Sequence, residues 1–386
     1  MLPRIAIVGA GPGGLTLACI LLRNSIIPTV YERDPSPDYR PQGGTLNIHT
    51  QSGQQAMRDA GIWDEFLKHA RPQVVKVFVK SGDVIFEESP YEKEGESHPE
   101  IDRTALRNIL LKSFGSENVK WNHVLNSVEP GPENKYELHF KGGKIETGFD
   151  LVVGADGAWS CVRPRVTSAA PFYSGVSMIE FDIADPTGSR YDDINQLVGK
   201  GGIFSFSDEK GLAAQRLGDN SIRIHTSFGM EEIQPDWLSK QFDANDPIAT
   251  KAKALSYYPD WNPILQNIIN SADDDYVLLR PMYMLPVDHT WEPCPGLTLL
   301  GDAAHLMTPY AGEGVNTTMQ DSLELAKKIA EATKSGNLHQ AVREYELDMF
   351  KRGSNSMRRT YRNKTGLFAK NFPTSINPIM EEMRAK

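Results

Sequence analysis

The chain has 386 residues, 40% of them hydrophobic and 24% charged, which excludes a disordered, collagenous or coiled-coil protein. Its 41 basic residues stand against 50 acidic ones, a net charge of −9 that disfavours a nucleic-acid binder. With no apolar run of about 18 residues, no membrane span is predicted. Its three cysteines (Cys19, Cys161, Cys294) are too scattered for a disulfide framework or a zinc site. The first strand begins by Arg4 or Ile5, leaving no room for a signal or transit peptide, and Arg384-Ala385-Lys386 matches no C-terminal address. The expectation is therefore a cytoplasmic protein in a reducing compartment.

Ile5-Ala6-Ile7-Val8 is a continuous apolar run, as in a strand buried on both faces. The glycine segment Gly9-Ala10-Gly11-Pro12-Gly13-Gly14 follows, then an apolar helix and a second strand over 28–33. That is a βαβ unit. Residues 74–79 and 84–89 alternate around Ser81-Gly82-Asp83 and predict a hairpin. A helix is predicted over 102–114 with Asp102 as its N-cap. Strands are predicted at 136–140 and 145–153. The β pattern then continues through 176–183, 196–206, 212–217 and 221–228, which suggests a separate, mostly antiparallel sheet. Residues 236–275 read as mixed and helical, 297–300 as a buried strand, and 314–333 as a long helix. The tail from 340 has a helical pattern, and its basic run 351–370 is expected to be a solvated face.

Three motifs carry chemistry. Gly9-x-Gly11-x-x-Gly14 follows a strand and opens a helix, and Glu32 ends the next strand. Such a turn admits a pyrophosphate at the helix N-terminus, and the acid can accept from ribose hydroxyls. The second motif runs from Asp150 through Gly154-Ala155-Asp156-Gly157 to Ser160 and Arg163. The third is Gly301-Asp302-Ala303-Ala304-His305, continuing to Pro309, Gly312, Gly314, Val315 and Asn316. Asp302 ends a buried strand, where a carboxylate needs a partner. His305 is read mainly as structural, Cys19 as core, Trp159 as packing, and His49 as equally open to either role.

In this order the three motifs resemble the class A flavin-dependent monooxygenases of the para-hydroxybenzoate hydroxylase type, over residues 4–335. Arg103-x-x-Leu106-x-x-x-Leu110 resembles that family's flavin-contacting helix start. Tyr31-Glu32-Arg33-Asp34, Gly43-Gly44-Thr45-Leu46, Ser52-Gly53-Gln54-x-Ala56-Met57 and the 301–307 segment look like the tetracycline-inactivating monooxygenases (TetX type).

The resemblance implies an α/β fold: a Rossmann-like FAD-binding domain of the GR2 type, an inserted mostly antiparallel β-sheet substrate domain, and a C-terminal bridging helix. The expected boundaries are 1–72, 100–170 and 280–335 for the FAD-binding domain, 73–99 and 171–279 for the substrate domain, and 336–386 for the helix. It implies FAD held by Gly9, Gly11, Pro12, Gly13, Gly14, Glu32, Arg33, Gly43, Gly44, Arg103, Asp156, Gly301, Asp302, Pro309, Gly312, Gly314, Val315 and Asn316. No catalytic side chain is required; Pro309, Gly312, Gly314 and Asn316 position the flavin.

NADPH or NADH would act as a transient reductant and O2 as co-substrate. One oxygen atom would pass through a C4a-hydroperoxyflavin to an electron-rich, multi-ring phenolic or polyketide-like compound, tetracycline among the candidates. Baeyer–Villiger oxidation, dehydrogenation or a non-catalytic FAD-binding role are the alternatives. A monomer is expected, with an aromatic or polycyclic small molecule as its partner and no nucleic acid, membrane or metal.

The sequence departs from the TetX type at Thr308-Pro309, where Pro-Pro is usual, and at Glu313, where Gln is usual. Glu180 stands where those enzymes place a drug-facing Gln, and Arg223 where they place a His. Gly201 or Gly202 falls near a substrate-facing Arg. Candidate substrate contacts are Glu180, Arg223, His225, Asn363 and Leu367. Arg223 or His225 would favour ionisation of a phenol. Glu180 and Arg223 have a competing reading as solvent-facing sheet positions.

Overall fold

The computed structural model describes residues 2–40, 43–88, 98–132, 135–230 and 232–378. The chain divides into two compact units. The first comprises Met1–Ala70, Arg103–Phe172 and Met284–Thr360; the second comprises Arg71–Asp102, Tyr173–Tyr283 and Tyr361–Lys386.

The first unit is built on a five-stranded parallel sheet. Its order is Leu297–Leu299, Leu151–Gly154, Ile5–Val8, Thr29–Tyr31 and Val119–Lys120. The register aligns Val8 with Gly154 and Tyr31, and Gly154 with Leu299. All three motifs and Glu32 therefore leave the sheet at one edge, the carboxyl ends of its strands. Ile5–Val8 lies where the strand order reverses direction, the usual crevice of an open α/β sheet. The helix Pro12–Arg23 is buried from Gly13 to Leu21. Burial pushes its Cys19 thiol up to about 11, consistent with the core reading.

One expected strand is in fact two. Ile145–Phe149 joins Leu125–Pro130 and Tyr136–Phe140 in an antiparallel sheet, whereas Leu151–Gly154 joins the parallel one. Asp150 stands at the break and accepts a hydrogen bond from the Arg4 backbone N–H at 2.8 Å. Asp102 directly precedes the helix Arg103–Phe114. It ends the strand Glu100–Asp102, and its carboxylate takes Arg71 at 2.6 Å and the Gly218 N–H at 2.8 Å.

The second unit holds a seven-stranded sheet. Its order is Leu278–Met284, Phe172–Ile183, Ile222–Phe228, Lys210–Arg216, Gly202–Ser207, Val75–Phe78 and Val84–Glu88. Gly202–Ser207 and Val75–Phe78 run parallel; the hairpin to Val84–Glu88 is antiparallel as expected. Position 89 of that expectation lies outside the described residues. The expected strand over 196–206 is shorter, because Asp192–Val198 is a helix with two acids in its first turn, where the helix dipole favours them. Ile179, Phe181 and Ile183 pack with Tyr258, Trp261, Leu265 and Ile268 in one core. Strand alternation therefore sends Glu180 and Asp182 to the opposite face.

The helix Leu338–Leu367 spans the tail. Its basic run is not a bare solvated face. Arg352 pairs with Asp321, Arg358 with Asp288 and Arg359 with Glu313, and Lys364 donates to the Ser174 carbonyl. The same helix anchors the strand that carries the third motif. Tyr345 donates to the Leu299 carbonyl at 2.9 Å. The buried Glu346 accepts from Thr298 at 3.0 Å and Trp291 at 2.9 Å. Thr298→Val keeps the shape but removes one bond to a buried carboxyl. It should lower stability by about 1–3 kcal/mol, read as an earlier midpoint in urea unfolding.

Candidate functional site at the carboxyl edge of the parallel sheet

The glycine turn is set by close approaches. Gly9 has φ +109, and a Cβ there would lie 2.3 Å from the Ala155 carbonyl oxygen. A Cβ on Gly14 would lie 2.0 Å from the Gly9 oxygen, and one on Gly13 2.4 Å from Thr318. Gly11, by contrast, has nothing within 4 Å of that position. The turn is thus packed beneath and open above. Pro12 opens the helix, where a missing N–H costs nothing.

Glu32 is held against this turn. Its two oxygens accept the Ala10 N–H at 2.7 Å and the Asp34 N–H at 3.0 Å. The sequence reading missed the strut below it. Arg107 is 2% exposed; its Nε donates to the Ala10 carbonyl at 3.0 Å and its Nη1 to the Pro37 carbonyl at 2.8 Å. Burial pulls its pKa down, against the raising effect of Glu32 and Asp34. An arginine one residue after the buried Leu106 was the available signal. Arg33 is exposed.

Arg103 opens the next helix, and its backbone N–H donates to the Gly44 carbonyl at 3.1 Å. Its Nε lies 3.8 Å from where a Cβ on Gly43 would be. The Asp302 carboxyl is raised by burial, and the charge of Arg103 is the largest effect opposing that rise. Among the described residues no hydrogen bond reaches the Asp302 carboxylate.

Downstream, Gly312 turns at φ +64 and donates its N–H to the Pro309 carbonyl at 3.0 Å. Gly314 and Val315 begin the helix Gly314–Ser335. Asn316 is a buried clasp. Its side chain accepts the His49 N–H at 2.8 Å and donates to Asn47 at 2.9 Å and Gly312 at 3.3 Å.

In the second motif, Asp156 serves its own turn. It accepts the Cys161 N–H at 2.7 Å, and burial raises its pKa. Arg163, 3% exposed, ties this turn to the third motif through the Ala158 carbonyl at 2.6 Å and the Ala303 carbonyl at 3.1 Å. Trp159 is 62% exposed.

His305 is buried and structural in its bonding, with partners the sequence did not reveal. Its Nε2 meets Asp321 at 2.5 Å. Asp321 also accepts the Gly301 N–H at 3.1 Å and Arg352 at 2.8 Å and 3.1 Å.

In the second unit Glu180 lies opposite His225, and Asp182 opposite Arg223. Glu180 is 3% exposed and Arg223 8%, so neither faces solvent. Glu180 accepts from Arg223, from Tyr276 at 2.6 Å, from Arg280 at 3.2 Å and from His225 at 3.3 Å. Arg223 also pairs with Asp182. Tyr276 and Arg280 were not singled out from sequence. Burial pushes the Glu180 carboxyl upward, but bonds from His225 and Tyr276 and the charges of His225 and Arg280 hold it well below the usual range. Arg223 is engaged by two acids and is not a free cation. Asn363 and Leu367 stand half-buried near the end of the long helix.

Comparison with known proteins identifies the family. The FAD binding domain family matches residues 3–193 and 296–360, and the chain belongs to it. The chain is 30% identical to the monooxygenase asqM of Emericella nidulans, over 93% of this chain and 94% of that protein. In fold it resembles a point variant of Klebsiella pneumoniae HpxO complexed with FAD, with a TM-score of 0.80, 20% identity, and coverage of 100% of this chain and 95% of that one. It also resembles the tetracycline destructase Tet(51), with a TM-score of 0.71, 19% identity, and coverage of 100% and 97%. The residues present fit an FAD: an open turn at Gly11, a fixed carboxylate at Glu32, and an Asp302 carboxylate beside a cation. No helix among the described residues is long and apolar enough to cross a membrane.

Two outcomes are expected. Gly14→Val places atoms on the Gly9 carbonyl, so the purified variant should lack the visible absorbance of bound flavin. Glu180→Gln should destabilise the protein by about 3–5 kcal/mol at pH 7, because it uncouples a buried charge network. The depressed folded pKa of Glu180 gives stability that is complete above its unfolded value of about 4.3 and is lost as pH falls below it. The gap between wild type and variant should therefore shrink in acid unfolding curves.

Proposed function

We propose that the protein is an FAD-dependent monooxygenase that consumes NAD(P)H and inserts one atom of O2 into an electron-rich, multi-ring phenolic or polyketide-like compound. The observation that carries this is the convergence of Gly9–Gly14, Glu32, Arg103, Asp302 and Gly312–Asn316 around one edge of the parallel sheet. The likeness to asqM, named a monooxygenase, supports the reaction class. Bound FAD supplies the redox chemistry, drawing electrons from the nicotinamide and activating oxygen.

This chain supplies position and charge. N–H groups of the helix that starts at Pro12 would face the pyrophosphate, where the helix dipole favours an anion. The oriented Glu32, with Arg33 beside it, would receive the adenosine ribose. Arg103, with Gly43 and Gly44, and Asp302 would receive ribityl and pyrophosphate oxygens. The N–H groups of Gly314, Val315 and Asn316 would favour negative charge on the flavin ring; Gly312 shapes the loop through its bond to Pro309, and the Asn316 clasp keeps that loop preorganised. Asp156 acts one step away, by shaping its turn.

In the second unit, we assign substrate contact to His225 and Arg280, the more exposed basic side chains of the Glu180 cluster, with Arg223 as their support. Asn363 and Leu367 remain candidates on the helix. A compound able to form a phenolate would react faster beside such cations. Tetracycline is one candidate, supported by the fold likeness to Tet(51).

The test is incubation of FAD-loaded protein with NADPH and 18O2 against tetracycline and a panel of fused-ring phenols. A product heavier by one labelled oxygen, absent without NADPH, is the expected result. NADPH consumption that yields only peroxide across the panel would sink the substrate class. A protein that binds no FAD would sink the reading entirely.

A further inference from the structure

Beneath the third motif lies a charged cluster that the functional reading leaves unused. His305 and Asp321 are 3% and 0% exposed, and they meet at 2.5 Å. A buried ion pair seldom justifies itself by stability alone, since an apolar pair of equal volume often does as well. Its placement suggests a different purpose. The Asp321 Oδ2 that holds His305 also accepts the Gly301 N–H at 3.1 Å, and Gly301 is the residue before Asp302. Gly301 sits at φ +61, with Thr318 side-chain atoms 2.8 Å from where a Cβ would be, so the turn has one backbone path.

The other oxygen of Asp321 is gripped by Arg352 through two nitrogens. One residue on, Gly353 lets the helix approach the ring: a Cβ there would be 3.0 Å from His305. A glycine inside a helix costs roughly 1 kcal/mol relative to alanine, and this close approach is a reason to keep it. Burial lowers the pKa of His305, but the charge and hydrogen bond of Asp321, with the charge of Asp302, leave it raised. The groups around the ring are Asp302 and Asp321, with Arg352 on the long helix and His289 nearby.

We propose that Asp321 and His305 are positioning residues for the cofactor: together they lock the Gly301-Asp302 turn, and so determine the affinity for the ribityl and pyrophosphate half of FAD. This rests on the assignment of Asp302 to FAD. Neither residue touches the cofactor in this scheme.

The experiment compares apo-protein carrying His305→Gln or Asp321→Asn with wild type, titrated with FAD and separately with AMP. AMP carries the adenosine assigned to Glu32 but lacks the pyrophosphate linkage and ribityl chain assigned to Asp302. The expected result is a rise of about tenfold or more in the Kd for FAD, the order seen when a partner that orients a binding group is lost, with AMP affinity unchanged. An unchanged FAD affinity overturns the proposal. Equal losses for FAD and AMP, or variants that fail to fold by circular dichroism, make the pair a general stability element and overturn it too. Failure of wild type to bind FAD rejects instead the functional reading beneath it.

Discussion

Everything at the candidate site follows from how closely two parallel strands converge at their carboxyl ends. Ile5–Val8 and Leu151–Gly154 run in register, and where they finish the Ala155 carbonyl occupies the space a side chain on Gly9 would need. That approach forces the turn, the turn aims the helix Pro12–Arg23, and the helix must then lie against Gly9 through Gly14. Gly154 is under the same pressure from Val162 and Leu299. Small residues here are a steric requirement, and the open surface at Gly11 is what the crowding below leaves behind.

The loops on that edge are joined mainly by buried arginines. Arg107 spans from Ala10 to Pro37, Arg163 from Ala158 to Ala303, and Arg352 reaches Asp321. Guanidinium suits this task because its planar fork serves several acceptors at once and keeps its charge. Carbonyl oxygens of turns are otherwise hard to satisfy away from water. Arg107 thus resolves two unmet backbone groups and Arg163 three, while fixing one loop relative to another. The Glu180 cluster on the second unit uses the same economy with the signs exchanged: one carboxylate gathers four donors.

The parallel sheet, the glycine turn and the two later motifs were legible in the sequence, because contiguous residues encode them. Gly9, Gly11 and Gly14 announce their geometry by spacing alone. The struts were not legible. Asp321 and Arg352 lie 16 and 47 positions beyond His305, and only the packing of two helices brings them together. Arg107 was not singled out, because its local signal, a place beside the apolar Leu106, does not distinguish a buried cation from a surface one. The basic run after 350 misled for the same reason: its partners Asp288, Glu313 and Asp321 are each distant in the chain. The strand break at Asp150 and the short helix before Gly202 failed on a subtler point. An apolar pattern can persist through a change of sheet or a helical turn. A lone glycine such as Gly148 or Gly199 then marks an irregularity without naming its kind.

The order of the central strands also bears on how the chain is made. Ile5–Val8 leaves the ribosome long before its neighbour Leu151–Gly154, which follows nearly 150 residues later. The helix Pro12–Arg23, buried along almost its whole length, waits longer still, because Ser322 and Thr318 on Gly314–Ser335 pack against Gly13. Parallel pairing at such separations is slow, and unpaired apolar segments are aggregation-prone meanwhile. The nascent chain therefore carries one of its most apolar segments without its native neighbours through much of translation, the stretch in which chaperones and the speed of the ribosome act on folding yield.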